Sequence, residues 1–142
     1  MLRNLINRLF LRKEIRSKTG TLHFKRWGVE TPWFGLLVHF IARGDEDKHM
    51  HDHPFRFSSY IISGGYYEHV DGAVIPYEPG DFIRHEPGEP HRVELYKDKH
   101  GNQIPCWSFV IIGKRLPTWG YHTEKGWVEN QAYRKMKHEG KL

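Results

Sequence analysis

Three histidines fall within five positions, His49-Met50-His51-Asp52-His53, with Pro54 directly after them. Side chains at i, i+2 and i+4 of an extended strand share one face, so the spacing predicts that these imidazoles converge. Imidazole is the commonest biological ligand for first-row transition metals, and two from one strand form a rigid half of a metal site. The competing reading is a solvated histidine-rich loop, because Gly44-Asp45-Glu46-Asp47-Lys48 just upstream is strongly polar. Which pair would ligate is open from spacing alone: His49 with His51, or His51 with His53. Two more histidines, His85 and His91, flank the bend Glu86-Pro87-Gly88-Glu89-Pro90.

A chain of 142 residues has room for one domain with a single core. Apolar residues make up 38% and aromatics 14%, a composition that favours a core of Trp, Tyr and Phe packed on short strands. The formal charge is +5, and much of the excess lies at the ends, in Arg3, Arg8, Arg12, Lys13, Arg16 and Lys18 and again in Arg134, Lys135, Lys137 and Lys141. No basic and aromatic stripe crosses the middle, so no nucleic-acid partner is expected. A single cysteine, Cys106, excludes an intramolecular disulfide and a cysteine zinc cluster, and it suits a reducing compartment. No apolar run approaches the length of a bilayer span, and a cytoplasmic location is expected.

Residues 2–16 place Leu2, Leu5, Ile6, Leu9, Phe10 and Ile15 at helical spacing, which predicts an amphipathic helix ended by Ser17-Lys18-Thr19-Gly20. Such a helix would dock on the domain or on a second copy of the chain, and a homodimer is one possible assembly. From Thr21 the pattern changes to short strands: 21–27, 33–42, a stretch running from the histidines to Ser63, then 66–70, 73–77, 82–85, 91–96 and 104–112. Gly64-Gly65, Asp71-Gly72 and Pro79-Gly80-Asp81 supply turns between them. Many short strands at regular spacing predict an antiparallel sandwich or barrel. The chain thus divides into a helix at 1–20, a barrel at 21–113, and a segment at 114–142 of coil and short helix that wraps the barrel.

On two motifs the chain resembles the cupin superfamily. His51-Asp52-His53 with Gly64 eleven residues later keeps the spacing of the first cupin motif, while Pro79-Gly80-Asp81 and Pro87-Gly88-Glu89-Pro90-His91 resemble the second. The resemblance covers about residues 21–113 and implies an all-β, single-domain double-stranded β-helix, the jelly-roll barrel. Where the family's first motif carries a glutamate, four residues after His53, this sequence has Phe57. The resemblance therefore implies a three-histidine metal site of His51, His53 and His91, with His49 as a possible addition. Such a site keeps the ion's positive charge and leaves positions for water, dioxygen or an anionic, chelating small molecule. It resembles cupin dioxygenases that use Fe(II), although Zn, Ni, Mn or Cu suit the same ligands. The alternatives are a non-catalytic cupin that binds a metal or small ligand, and a metal-free sugar-nucleotide epimerase or isomerase with His91 or His51 as base and a tyrosine as acid.

By alternation Phe55, Phe57, Ser59 and Ile61 should line the pocket, with Arg56 and Arg84 facing away. His85 is a candidate fourth ligand or acid-base group, and Tyr60 is a further catalytic candidate beside Tyr66, Tyr77 and Tyr96. Asp52, Asp81, Glu86 and Glu89 are candidate acceptors for the second nitrogen of a ligating histidine, and Glu68 is a further carboxylate. Cys106 is expected to pack as a small apolar residue.

Overall fold

Short strands and tight turns account for most of the chain in the computed structural model, which describes residues 10–142. In order they are β1 (Phe10–Arg16), β2 (Leu22–Glu30), β3 (Gly35–Ile41), β4 (Met50–His51), β5 (Phe57–Ser63), β6 (Tyr66–Val70), β7 (Ala73–Tyr77), β8 (Phe82–His85), β9 (Arg92–Leu95), β10 (Cys106–Ile112), β11 (Gly120–Thr123) and β12 (Gly126–Glu129), followed by helix α1 (Asn130–His138). One sheet has six strands in the order β1-β2-β3-β10-β5-β8, and two smaller sheets run β12-β11-β4 and β7-β6-β9. A single antiparallel bridge between His51 and His91 joins the smaller sheets, with each backbone N–H donating to the other's carbonyl at 2.9 and 2.8 Å. Two histidines thus form the bridge between the smaller sheets, and Asp45 adds a further link by exchanging hydrogen bonds with Val93 of β9.

Strand β10 shows how alternation builds the interior. Cys106, Ser108, Val110 and Ile112 are buried, while Trp107, Phe109 and Ile111 between them face out. Inside, Ile61, Tyr66, Ile83, Leu95 and Cys106 form one apolar cluster, and Leu37, Phe55, Val110 and Ile112 form another with Phe57 against it. Burial pushes the Cys106 thiol above its ordinary pKa, in keeping with a packing role. Gly64 has φ +82°, and a Cβ there would collide with the Pro105 carbonyl oxygen, so the glycine of the first motif is a steric requirement of the β5–β6 turn.

The two ends differ from the sequence expectation. Residues 10–16 are a strand paired along its length with β2, from Phe10 opposite Val29 to Arg16 opposite Leu22, rather than the end of a helix. The helical spacing of apolar residues is overridden by the ladder that the long β2 edge offers, and Ser17–Gly20 is the hairpin turn, with Gly20 at φ +85°. The rest of the expected helix, including Leu2, Leu5, Ile6 and Leu9, lies outside the described residues. At the other end, the expected coil contains the hairpin β11–β12, and the expected short helix is α1. The side chain of Glu129 caps α1 by accepting from the N–H groups of Gln131 and Ala132 at 2.9 and 3.1 Å. Among the described residues no helix is long and apolar enough to cross a membrane.

Candidate metal centre

His51 and His91 are held opposite one another by their backbone bridge, and their ring centroids are 4.8 Å apart. The Pro87-Gly88 bend places His53 beside them, because the Gly88 N–H donates to the His53 carbonyl at 3.3 Å. Gly88 has φ +81°, the conformation that this tight reversal before His91 requires. One ring nitrogen from each of His51, His53 and His91 lies within 4.8 Å of the others. The Nε2 atoms of His53 and His91 are 2.9 Å apart. Two nitrogens at metal–ligand distance from one ion, at a right angle, stand about 3 Å apart, so the spacing fits a shared ion. An N–H of one ring donating to the other gives the same distance.

Electrostatics favours neutral rings at His51 and His53. Burial first, and then the neighbouring histidines, hold the His53 imidazole well below its ordinary pKa. His51 is also lowered, chiefly by burial, with Asp45 opposing: its Nδ1 is 3.8 Å from Asp45 Oδ2. Neutral imidazole is the form that ligates a metal.

Glu68, on β6, is 1% exposed and organises the other side of His91. The His91 Nδ1 is hydrogen-bonded to Glu68 Oε1 at 2.6 Å, and His85 Nε2 lies 2.7 Å from the same oxygen. His85 Nδ1 in turn is 3.1 Å from Glu89 Oε2. Burial opposes ionisation of Glu68, but hydrogen bonds and charge from His85 and His91 outweigh it and hold the carboxyl at about 2. Burial likewise opposes charge on His85, yet Glu68 and Glu89 raise its pKa. Glu68, His85 and His91 form a second set of groups at ligand-like separations. The 2.6 Å bond from His91 and the 2.7 Å charge contact with His85 are shorter than ligands spread around one ion would stand from each other. A carboxylate thus approaches the histidines from β6, and position 57 holds an aromatic ring centred 5.0 Å from His53 and 4.9 Å from His85.

Other candidates are dispersed. His49 is buried away from the cluster, bonded to the Tyr133 hydroxyl at 2.8 Å and to Glu124 at 3.0 Å. The same-face argument fails for it because the strand is only Met50–His51. Tyr60 is on the outer face of β5 and 46% exposed, since its neighbours Ser59 and Ile61 take the inner positions. Tyr66 packs in an apolar cluster, edge to face with Tyr77, and the Tyr96 hydroxyl donates to the Tyr77 carbonyl. Phe55 stacks on His53 with centroids 5.5 Å apart, so Phe55 and Phe57 line the histidines, while Ile61 belongs to the further cluster and Ser59 is buried between Val110 and Ile83. Arg56 and Arg84 point outward to Glu86. Asp81 caps its own turn by accepting from the Glu78 N–H. Asp52 faces away from the rings, accepting from the Gly120 N–H at 2.8 Å, His122 at 3.0 Å and the Trp127 indole at 2.9 Å.

No family model and no curated protein matches the chain. Solved structures do. Streptomyces Pac13, described as a unique nucleoside dehydratase, superposes with a TM-score of 0.53 at 9% identity over 83% of each chain. An uncharacterised double-stranded β-helix protein from Klebsiella pneumoniae gives 0.53 at 22% identity, covering 75% of this chain and 89% of that one. An RmlC-like cupin from Shewanella frigidimarina gives 0.52 at 16% identity, covering 72% and 83%. At these identities the likeness is one of fold.

Proposed function

We propose that this chain, which has the cupin fold, is a metal-dependent enzyme for small molecules, with His51, His53 and His91 holding a divalent ion inside the barrel. The finer reading is an oxidoreductase of the dioxygenase type with Fe(II) as the ion. The observation that carries the metal reading is the convergence of the three rings, with the Nε2 atoms of His53 and His91 2.9 Å apart. When bound, the ion would supply a Lewis acid with positions left for a chelating substrate and, as Fe(II), for dioxygen.

The chain's own groups have separate tasks. Glu68 accepts the His91 Nδ1 proton, which fixes the tautomer and turns the Nε2 lone pair toward His53. His85, with carboxylates on both sides, keeps a proton close to His91, their rings 4.9 Å apart. Phe55 and Phe57 shield the rings from water, which strengthens every polar interaction inside. A second reading has a specific observation in its favour. The Glu68–His91 pair is a base with its orienting carboxylate, and with His85 as acid it would serve a metal-free isomerase or dehydratase.

Metal analysis of protein reconstituted with Fe(II) separates the readings. About one equivalent per chain is expected, with affinity falling more than about a hundredfold in both His51→Ala and His91→Ala. Wild-type affinity in either variant would sink the ligand set. Oxygen uptake with a panel of thiols, diketones and 2-oxo acids then distinguishes a dioxygenase from a protein that only binds metal.

A further inference from the structure

A row of cross-strand partners crosses the inner face of the six-stranded sheet. Lys13 is opposite Arg26, Arg26 opposite His39, and His39 opposite Ser108. Directly opposed residues of antiparallel strands project to the same side, and His39 shares its side with Leu37 and Ile41, both packed in the interior. The row therefore points into the barrel. Glu30, four residues along β2, has Arg26 Nη2 3.6 Å from one oxygen and accepts from Arg115 Nη2 at 2.7 Å on the other.

Two guanidinium groups thus share one carboxylate, and Lys13 on β1 stands directly across from Arg26. Their crowding is felt by the Lys13 ammonium, whose pKa is lowered by partial burial and then by Arg26, Arg115 and Arg134. Arg26 Nε and His39 Nε2 are both buried without a hydrogen-bond partner among the described residues. Unpaired buried polar atoms of this kind are costly, and two on directly opposed residues leave groups that a ligand or a water can satisfy. A route from solvent exists, because Lys13 is exposed and the Arg115 side chain is 47% exposed, while Arg26 is deeper at 16%. The Arg115 guanidinium carbon is 5.1 Å from the centre of the Phe55 ring, and His53 stacks on the same ring with centroids 5.5 Å apart. Arg115 is one aromatic ring away from His53.

We infer that Lys13, Arg26 and Arg115 seat the phosphoryl dianion of a phosphate monoester, the charged end of a small molecule whose other end reaches His51, His53 and His91. The surplus of positive charge matches a dianion better than a single carboxylate, and guanidinium groups present paired donors to phosphoryl oxygens. The inference rests on the proposed metal centre only for where the remainder of the molecule lies. The seat itself requires no ion.

The test is calorimetric titration of metal-free, full-length protein with inorganic phosphate, with acetate and succinate as carboxylate arms. Saturable phosphate binding is expected, weakened by added salt, with acetate and succinate at least about tenfold weaker. Arg26→Gln and Arg115→Gln should each weaken phosphate by about tenfold or more, and Arg115→Lys less. Thermal melts identify any variant that fails to fold, and Lys13→Gln at the exposed rim provides an independent reading. His51→Ala should keep phosphate affinity, so loss of metal binding and loss of the seat are read separately. Absence of phosphate binding, undiminished wild-type affinity in Arg26→Gln or Arg115→Gln, preference for the carboxylates, or loss of binding in His51→Ala alone would each overturn the seat.

Discussion

Asp52 and Glu68 are both buried carboxylates beside the histidine cluster, 5% and 1% exposed, yet they serve opposite parts of the molecule. Asp52 sits between His51 and His53 in sequence and turns away from them, into the C-terminal hairpin, where it gathers the Gly120 N–H, His122 and Trp127. Glu68 is distant in sequence and turns inward, onto His91 and His85. The difference shows that strand pairing, more than sequence proximity, decides which carboxylate attends a histidine. Alternation places the residue between two converging side chains on the other side of the backbone, while a register match brings β6 alongside β9 and Glu68 within reach of His91.

Breaking each carboxylate should separate stability from site chemistry. Asp52→Ala strands a buried backbone N–H and an indole N–H, and should cost about 3 kcal/mol in denaturant unfolding while metal affinity stays within about threefold. A large loss of metal affinity with unchanged stability would reverse the assignment. Glu68→Gln keeps the shape and removes the charge, so metal affinity should fall by about ten- to a hundredfold, with a smaller stability change than Asp52→Ala. Equal metal affinity would mean that Glu68 does not orient His91.

His39 sharpens the contrast as a buried polar group with no partner at Nε2. Burial first, and then the Arg26 charge, push its pKa from the ordinary 6.5 down to about 3. A folded-state value below the unfolded one means that the ring's contribution is complete above pH 6.5 and is lost as the pH falls toward 3. The slope in that window is up to about 1.4 kcal/mol per pH unit. Unfolding measured between pH 7 and 4.5 should therefore show a smaller acid loss in His39→Leu than in the natural chain. Identical pH profiles would show that His39 titrates normally.

The strands from 57 to 112 are legible because turns with their own chemistry bound them: Asp71-Gly72 closes the β6–β7 hairpin, Gly64-Gly65 and Pro79-Gly80 carry the chain between sheets, and alternation orients the side chains between them. Spacing alone left open which histidines meet; the set His51, His53 and His91 is what the cupin resemblance implies, and the three rings stand together in the structure. Glu68 was harder, since its inward direction is readable from the parity of Tyr66 but its approach to His91 depends on the β6–β9 register. Arg26 and His39 passed unnoticed because each stands in a run that reads as ordinary strand; sharing parity with Leu37 and Ile41 was the available signal for His39. Strand β1 and the β11–β12 hairpin were missed for a related reason. Their partners, β2 and β4, lie on ladders that local spacing does not reveal, and the Thr123-Glu124-Lys125-Gly126 turn was the clue in the tail.

The His51–His91 bridge makes one pair of amino acids serve as both fastener and functional group. Tyr121 pairs with His51 from the far side, so the β11–β12 hairpin and α1 hang from the same stitch. Anything that parts the two backbones there removes one of the attachments of the segment from Gly120 onward, beside those that Asp52 makes. Proteolysis of that segment, followed with and without added metal, would thus report from a distance on the state of the barrel's centre.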